Sequence, residues 1–291
     1  MKVSKVIFYP GWEESVSDYT QRISRQTPDN RAKWKSIEAT DNSSFADFAI
    51  CQDHPISLHK ALNEGFTKNQ IIYIKRESDY ALPIIKEGFG ICYQGKCNII
   101  PSIWWISTNF SELVKESYPS KEKNLSAIVS NMNILEGHKK RLKFINNVSA
   151  NIKIDVFGRG HSEESFNLQY KGEIKSPNRC KLIGLNKYYY SLAIENASLN
   201  GYITEKFNDC ILSWTKPLYY GAPNINQYFP EKSFCLINNH VNESNINGIQ
   251  EIVESRISLE DIDAISEARE RILFTYNLWN ISEMLVRKIR D

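Results

Sequence analysis

One short stretch of the chain carries an amide, a phenol, a hydroxyl, a carboxylate and an ammonium group in close succession: Asn196, Tyr202, Thr204, Glu205 and Lys206. A hydroxyl at 204 can cap a helix whose first turn holds the carboxylate and the lysine. A helix N-terminus with a lysine beside it attracts a diphosphate, and a carboxylate at the same place can accept from two ribose hydroxyls. Asn196 and Tyr202 add groups able to orient a bound sugar or phosphate. Together these make half of a nucleotide-sugar site. The plainer reading is a capped helix whose Glu205 and Lys206 face solvent.

Two further positions carry charge where chemistry could use it. Glu77 follows the apolar run Gln70–Ile74, just past the C-terminal end of an expected buried strand, where catalytic side chains gather in α/β proteins; beside Lys75 and Arg76 it also reads as a solvated charge cluster. The segment Leu135–Ile145 turns into a helix with a basic start. Its Arg141, with Lys139 and Lys140, makes sense where a phosphate is delivered, or as an exposed basic face. His54 and His59 read as loop or surface histidines, and Asp261-Ile262-Asp263 as acids near a helix start. The six cysteines are scattered, mostly within apolar runs, which suits reduced thiols, and no spacing completes a metal site. Trp104 and Trp105 lie in a wholly apolar run, so core packing is expected, with stacking on a sugar as the second reading.

The elements that must position these groups alternate. Apolar runs at Lys2–Tyr9, Phe45–Cys51, Gln70–Ile74, Phe89–Tyr93, Leu125–Val129 and Tyr190–Ile194 read as strands, with Ser36–Ala39 as an edge strand. The stretch Tyr188–Pro223 reads strand, loop, helix, strand, a βαβ unit whose first loop holds Asn196 to Thr204. Gly158-Arg159-Gly160 ends another strand, but Glu163 stands where a dinucleotide fingerprint needs its third glycine, so a tight turn is expected there. The Pro, Ser, Lys and Glu composition of Tyr118–Asn124 marks an interdomain connection. We therefore expect a first domain over 1–122 and a second over 123–291, the latter ending in a helix. At 291 residues the chain is long enough for both, and 42% hydrophobic with 24% charged residues is a globular composition. A net charge of +2 gives no general attraction for nucleic acid or anionic membranes.

The runs Ile194-Glu195-Asn196, Gly201-Tyr202-Ile203-Thr204-Glu205-Lys206 and Pro217-Leu218-Tyr219-Tyr220-Gly221-Ala222-Pro223 resemble, in order, the donor-site signature of the α1,3/α1,4-fucosyltransferases, glycosyltransferase family 10; Ile194 stands where an aromatic is common. Asp155 to Gly160 resembles the same family's V-D-V-F-G-R-G segment. Ser130-Asn131, Arg141 and Phe144 follow the family's order of strand end, diphosphate-binding arginine and aromatic, with a longer intervening loop that leaves Lys139 or Lys140 as substitutes. Glu77-Ser78 is the local match to the family's catalytic base.

The resemblance implies the α/β architecture called GT-B, two Rossmann-like domains facing one another across a cleft, as the alternation of elements also suggests. It implies transfer of L-fucose from GDP-β-L-fucose, with inversion, to a glycan containing N-acetylglucosamine, in α1,3 or α1,4 linkage. Glu77 is the implied base. Arg141, Asn196, Tyr202, Thr204, Glu205 and Lys206 are the implied donor-binding residues, with cations doing the work of a metal so that no cofactor is required. Other nucleotide sugars, or a non-catalytic nucleotide- or glycan-binding module, remain the alternatives. No run approaches the ~20 apolar residues of a membrane helix, and Met1–Pro10 reads as a strand rather than a signal peptide. The expected location is the cytoplasm of a bacterial-type host, with at most peripheral membrane contact. A Golgi location would require that an anchor had been removed.

Overall fold

The computed structural model describes residues 3–78, 91–94, 99–175 and 180–291. The beginning of the strand expected at Phe89, and Cys97, lie outside the described residues. In chain order the elements are β1 (Ser4–Tyr9), α1 (Val16–Ser24), β2 (Lys33–Trp34), β3 (Ile37–Ala39), β4 (Phe48–Gln52), α2 (Pro55–Asn63), β5 (Ile71–Lys75), β6 (Ile91–Gln94) and α3 (Phe110–Lys115). There follow β7 (Lys123–Ile128), α4 (Glu136–Asn151), β8 (Asp155–Phe157), β9 (Tyr188–Ile194), α5 (Glu205–Leu212), β10 (Lys216–Tyr220), β11 (Cys235–Leu236), α6 (Glu243–Glu254), α7 (Leu259–Glu270) and α8 (Leu278–Arg290).

The strands form two separate sheets, ordered β2-β3-β1-β4-β5-β6 and β11-β10-β9-β7-β8. Every pairing is parallel except that of β2 with β3. The segment expected as an edge strand, 36–39, therefore contributes a strand that lies inside the sheet. Its outer side is covered by the two-residue β2, too short to register in the hydrophobic pattern.

Leave out β2, and both sheets have the same doubly wound order: the first strand of each is flanked by the second on one side and the third on the other. The crevice of such a sheet opens where the chain leaves the carboxyl ends of the strands on either side of that reversal. In the first sheet those ends are Tyr9 and Gln52, and in the second Ile128 and Ile194.

Parallel strands are covered on both faces, and the sequence supplies the apolar residues to do it. Ile7, Tyr9, Ala49, Cys51, Ile71 and Tyr73 pack against Leu58 and Ala61 of α2. Their alternates Val6, Phe8, Ile50, Ile72 and Ile74 join a larger core that runs on into α5 and α8. On the second sheet Phe144, Ile145 and Val148 of α4 and Ile246, Ile249 and Val253 of α6 cover β7, β9 and β10.

The expected division at 122/123 coincides with the start of β7. The terminal helix, assigned with the second half from its place in the sequence, packs instead on the first sheet. Trp279 is fully buried, its ring 4.9 Å from that of Phe8, and its Nε1 donates to Ile23 O at 2.9 Å. Asn277 donates to Gln26 O at 2.9 Å and Ser36 Oγ to Glu283 at 2.6 Å. Apolar periodicity located the helix but carried no information on which sheet would bury it.

At the connection itself Lys121 is buried. Its ammonium donates to Asn186 O at 2.8 Å, Ser213 O at 3.0 Å and Thr215 Oγ1 at 3.3 Å. Burial pushes its pKa down to about 7, Glu116 only partly opposing. A lysine whose folded pKa lies below its unfolded value of about 10.4 weakens the fold while both states hold the proton, and the penalty lifts as pH rises between those values. Stability should therefore rise from pH 7 to 10 relative to a Lys121→Met variant, by about 1 to 3 kcal/mol in urea unfolding. Parallel pH profiles for the two proteins would show that Lys121 is not the titrating group.

Candidate functional site

The loop after β9 is organised by Glu195, which is 1% exposed. Its carboxylate accepts from Thr204 N at 2.7 Å and from Thr204 Oγ1 at 2.9 and 2.7 Å, and lies 3.3 Å from Lys206 Nζ. The motif by itself assigns this residue no role, yet it is the anchor of the loop. Thr204 in turn caps α5, its hydroxyl accepting from Lys206 N at 3.3 Å and from Lys206 Nζ at 3.0 Å. Gly201, at φ +70°, closes the turn that brings residues 202–204 back over the strand end.

Arg141 reaches this loop from α4. Its Nη1 donates to Asn196 Oδ1 at 2.6 Å, while its buried Nε has no partner among the described residues. Lys139 and Lys140, the substitutes considered from the sequence, are both exposed. The approach is close enough to require glycine at 137, where a Cβ would lie 1.8 Å from Asn196 O. A second close approach holds the neighbouring turn: a Cβ on Gly158 would lie 1.6 Å from Val129 O, and Asn131 donates to Gly160 O at 2.6 Å.

The charges in this cluster alternate. Lys206 lies 3.2 Å from Glu205, and Lys181 lies 4.0 Å from Glu205 and 2.7 Å from Asp209. Burial pushes Glu205 up, but Lys206 and Lys181 outweigh it and hold the carboxyl far below the usual range. Burial pushes Lys206 down, and Glu195 and Glu205 outweigh it, so the ammonium stays charged. A cavity of about 30 Å³, room for roughly one water, lies among Arg141, Lys181, Glu205 and Lys206. Sequence reasoning missed Lys181 and Asp209, which stand apart from the loop in sequence and join it only through tertiary packing.

Glu77 faces this cluster from the other half. Its backbone N–H and that of Arg76 donate to Asp53 Oδ1 at 2.8 and 2.6 Å. Asp53, buried at φ +52° beyond the end of β4, thereby orients the strand-end turn that carries Glu77. Burial raises the pKa of Glu77, the Asp53 carboxylate adds to the rise, and Lys206 and Arg76 pull it down. The Tyr202 phenol, almost wholly buried, is pushed well up by burial and then by Glu77. The first half also holds the loop after β9 directly: Ile100 N donates to Gly201 O at 3.1 Å, and Ile100 packs on Ala197 and Tyr202. Trp104 is core at 5% exposure, and Trp105 is 38% exposed with its backbone N–H donating to Asp209 at 2.8 Å.

His54 caps α2, its Nδ1 accepting from Ile56 N at 3.2 Å, and Asp261 lies in the first turn of α7, paired with Lys216 at 2.8 Å; both are structural, as expected.

Residues 118–254, which contain the whole loop after β9, match the family model described as glycosyltransferase family 10 (fucosyltransferase) C-term. Over these residues, somewhat under half of its length, the chain is similar to glycosyltransferase family 10. Among curated relatives, an α-(1,3)-fucosyltransferase B of Drosophila melanogaster is 30% identical over 107 residues, covering 35% of this chain and 24% of the relative. An α-(1,3)-fucosyltransferase of Helicobacter pylori is 38% identical over 58 residues, 20% of this chain and 12% of the relative. The matched regions span less than a third of the length of these relatives. A crystal structure of an α1,3-fucosyltransferase superposes with a TM-score of 0.54 at 17% identity, covering 99% of this chain and 90% of that one. A crystal structure of an α1,3-fucosyltransferase with GDP-fucose gives 0.52 at 14% identity, with the same coverage. The fold of the chain is thus the two-domain GT-B arrangement. Among the described residues no helix is long and apolar enough to cross a membrane.

Removing the Glu195 carboxylate leaves two Thr204 donors and part of the Lys206 charge uncompensated in the interior. Glu195→Ala should lower stability by about 3 to 5 kcal/mol in urea unfolding, and the less buried Glu205→Ala by clearly less. Equal losses would contradict the anchoring role.

Proposed function

We propose that this protein is a glycosyltransferase family 10 enzyme that transfers L-fucose from GDP-β-L-fucose to a hydroxyl of an N-acetylglucosamine-containing glycan, with inversion at the anomeric carbon and in α1,3 or α1,4 linkage. The observation that carries the reading is the convergence of unlike charges from the two halves. Glu77, on a strand end of the first sheet, lies within the field of Lys206 and Glu205 on the second, where Arg141 keeps a buried donor unpartnered.

In this reaction the acceptor oxygen forms a bond to the fucose anomeric carbon as the bond from that carbon to the diphosphate oxygen breaks. Glu77 takes the acceptor hydroxyl proton, and the electron pair of the breaking bond leaves with GDP. The raised pKa of Glu77 brings it nearer the range in which a carboxylate accepts a proton effectively at neutral pH. Arg141 and Lys206, with the N-terminus of α5 capped by Thr204, stabilise the charge that develops on the departing diphosphate. Both cations exchange an internal acceptor for phosphate oxygens when the donor binds, Arg141 from Asn196 and Lys206 from Glu195 and Glu205. Glu205, held ionised, accepts from the ribose hydroxyls, and Asn196 and Tyr202 orient the diphosphate and sugar. Fixed protein cations serve in place of a metal ion, so no cofactor is required.

Turnover with GDP-fucose should persist in EDTA; complete loss restored by Mn²⁺ would overturn the metal-free scheme. Glu77→Gln should keep GDP binding within about twofold and lower kcat by 100-fold or more, about 2.7 kcal/mol of barrier, whereas Lys206→Ala should weaken GDP binding itself. Because Glu77 is raised, the acid limb of kcat/KM should lie above the ordinary glutamate value of about 4.3 and vanish in Glu77→Gln. Product formation from another nucleotide sugar but not from GDP-fucose would transfer the reading to a different donor.

A further inference from the structure

Lys181 enters the charge cluster from a segment that the first half holds. It opens a single 3-10 turn, Lys181–Gly184, seated on the end of β7, where a Cβ at Gly184 would lie 3.0 Å from Ile128 Cδ1. The residue before it is tied to the first half, Ser107 N and Oγ donating to Cys180 Sγ at 3.3 and 2.8 Å. From the same segment the Trp105 N–H donates at 2.8 Å to Asp209, the carboxylate with which Lys181 pairs at 2.7 Å. Residues 105–107 therefore fix both the backbone next to Lys181 and the partner of its ammonium.

Five charges then alternate in space: Asp209, Lys181, Glu205, Lys206 and Glu195, with successive separations of 2.7, 4.0, 3.2 and 3.3 Å. Both outer carboxylates are 1% exposed and pinned by other donors, Asp209 by Trp105 N and Glu195 by Thr204. Glu205 is the inner carboxylate, with a lysine on either side. Burial pushes its pKa up, and Lys206 and then Lys181 overcome that. Burial pushes Lys181 down, and Asp209 and Glu205 overcome it in turn, so its ammonium stays charged.

The two lysines cease to be equivalent once a donor arrives. In the proposed reaction Lys206 leaves Glu205 for the diphosphate, and the incoming negative charge opposes ionisation of a carboxylate beside it. Lys181 keeps its partner Asp209 and its tie through Cys180, so it remains to hold Glu205 ionised and in place. An ionised carboxylate accepts from both ribose hydroxyls, and a protonated one gives up part of that capacity.

We infer that Lys181 is a positioning residue for ribose recognition: it acts through Glu205, and residues 105–107 of the first half set its place. The inference rests on the proposed assignment of Glu205 to the ribose hydroxyls.

The test compares GDP with its 2′,3′-dideoxy analogue by isothermal titration calorimetry on the whole chain. The parent protein should prefer GDP by about tenfold or more, as expected for hydrogen bonds to a charged acceptor. Lys181→Met should shrink that preference to about threefold or less and leave affinity for the analogue within about twofold of the parent. Lys181→Arg, which keeps the charge, should restore most of the preference. Because Lys181→Met leaves Asp209 buried without its cation, the double variant Lys181→Met/Asp209→Asn is measured beside it, with the same loss of preference expected. A parent-like preference in the double variant overturns the inference. So does an equal weakening of both nucleotides, which is what general damage to the site would produce. A parent protein that binds GDP no better than the analogue overturns the assignment of Glu205 to the ribose, and the inference with it.

Discussion

Burying a carboxylate with almost no exposure is tolerable only when its oxygens are satisfied, and Glu195 meets that condition through Thr204 and Lys206. Much of the site follows from this constraint. The carboxylate sits one residue past a strand buried at every position but Tyr189, so it draws the chain back over the strand end and fixes where α5 starts. It also holds a lysine charged in the interior. Because Asn196 is its neighbour and receives Arg141, the helix from the preceding βαβ unit is brought to the same place.

The two sheets repeat one strand order, and the functional groups emerge from equivalent ends of both. From the first come Asp53 and Glu77, and from the second the loop after β9 and the start of α4. A doubly wound sheet leaves its crevice at the reversal of strand order, and two such sheets with crevices turned inward make one cleft. The halves are joined by more than the connection at Lys121. Helix α8 returns to bury Trp279 against Phe8, and residues 100–105 reach across to Gly201 and Asp209. These ties set the height of Glu77 over the cluster it faces.

Within the cleft, environment separates carboxylates that are chemically alike. Glu205 is surrounded by two lysines and held ionised, and Glu77, buried with Asp53 nearby, is pushed upward. One is suited to accepting hydrogen bonds permanently, the other to accepting a proton. Neither property belongs to glutamate as a residue type. Each follows from what the fold brings within a few ångströms.

From the sequence alone came the alternation of strands and helices, the cap at Thr204 and the ordered motif from Glu195 to Pro223, because strand period, capping and turn chemistry are local properties. The sequence left Arg141, Lys139 and Lys140 as alternatives, and the fold buries Arg141 against Asn196 while both lysines stay exposed. Lys181, Asp209 and Asp53 could not be found that way: each acts through a partner distant in the chain, and no local pattern records such a pairing. The same holds for α8, whose apolar stripe would suit either sheet, and for the two adjacent tryptophans, which periodicity treats alike. Only the packed structure sends Trp104 into the core and leaves Trp105 partly exposed, because successive side chains of an extended segment point to opposite sides and the surroundings decide which side is interior.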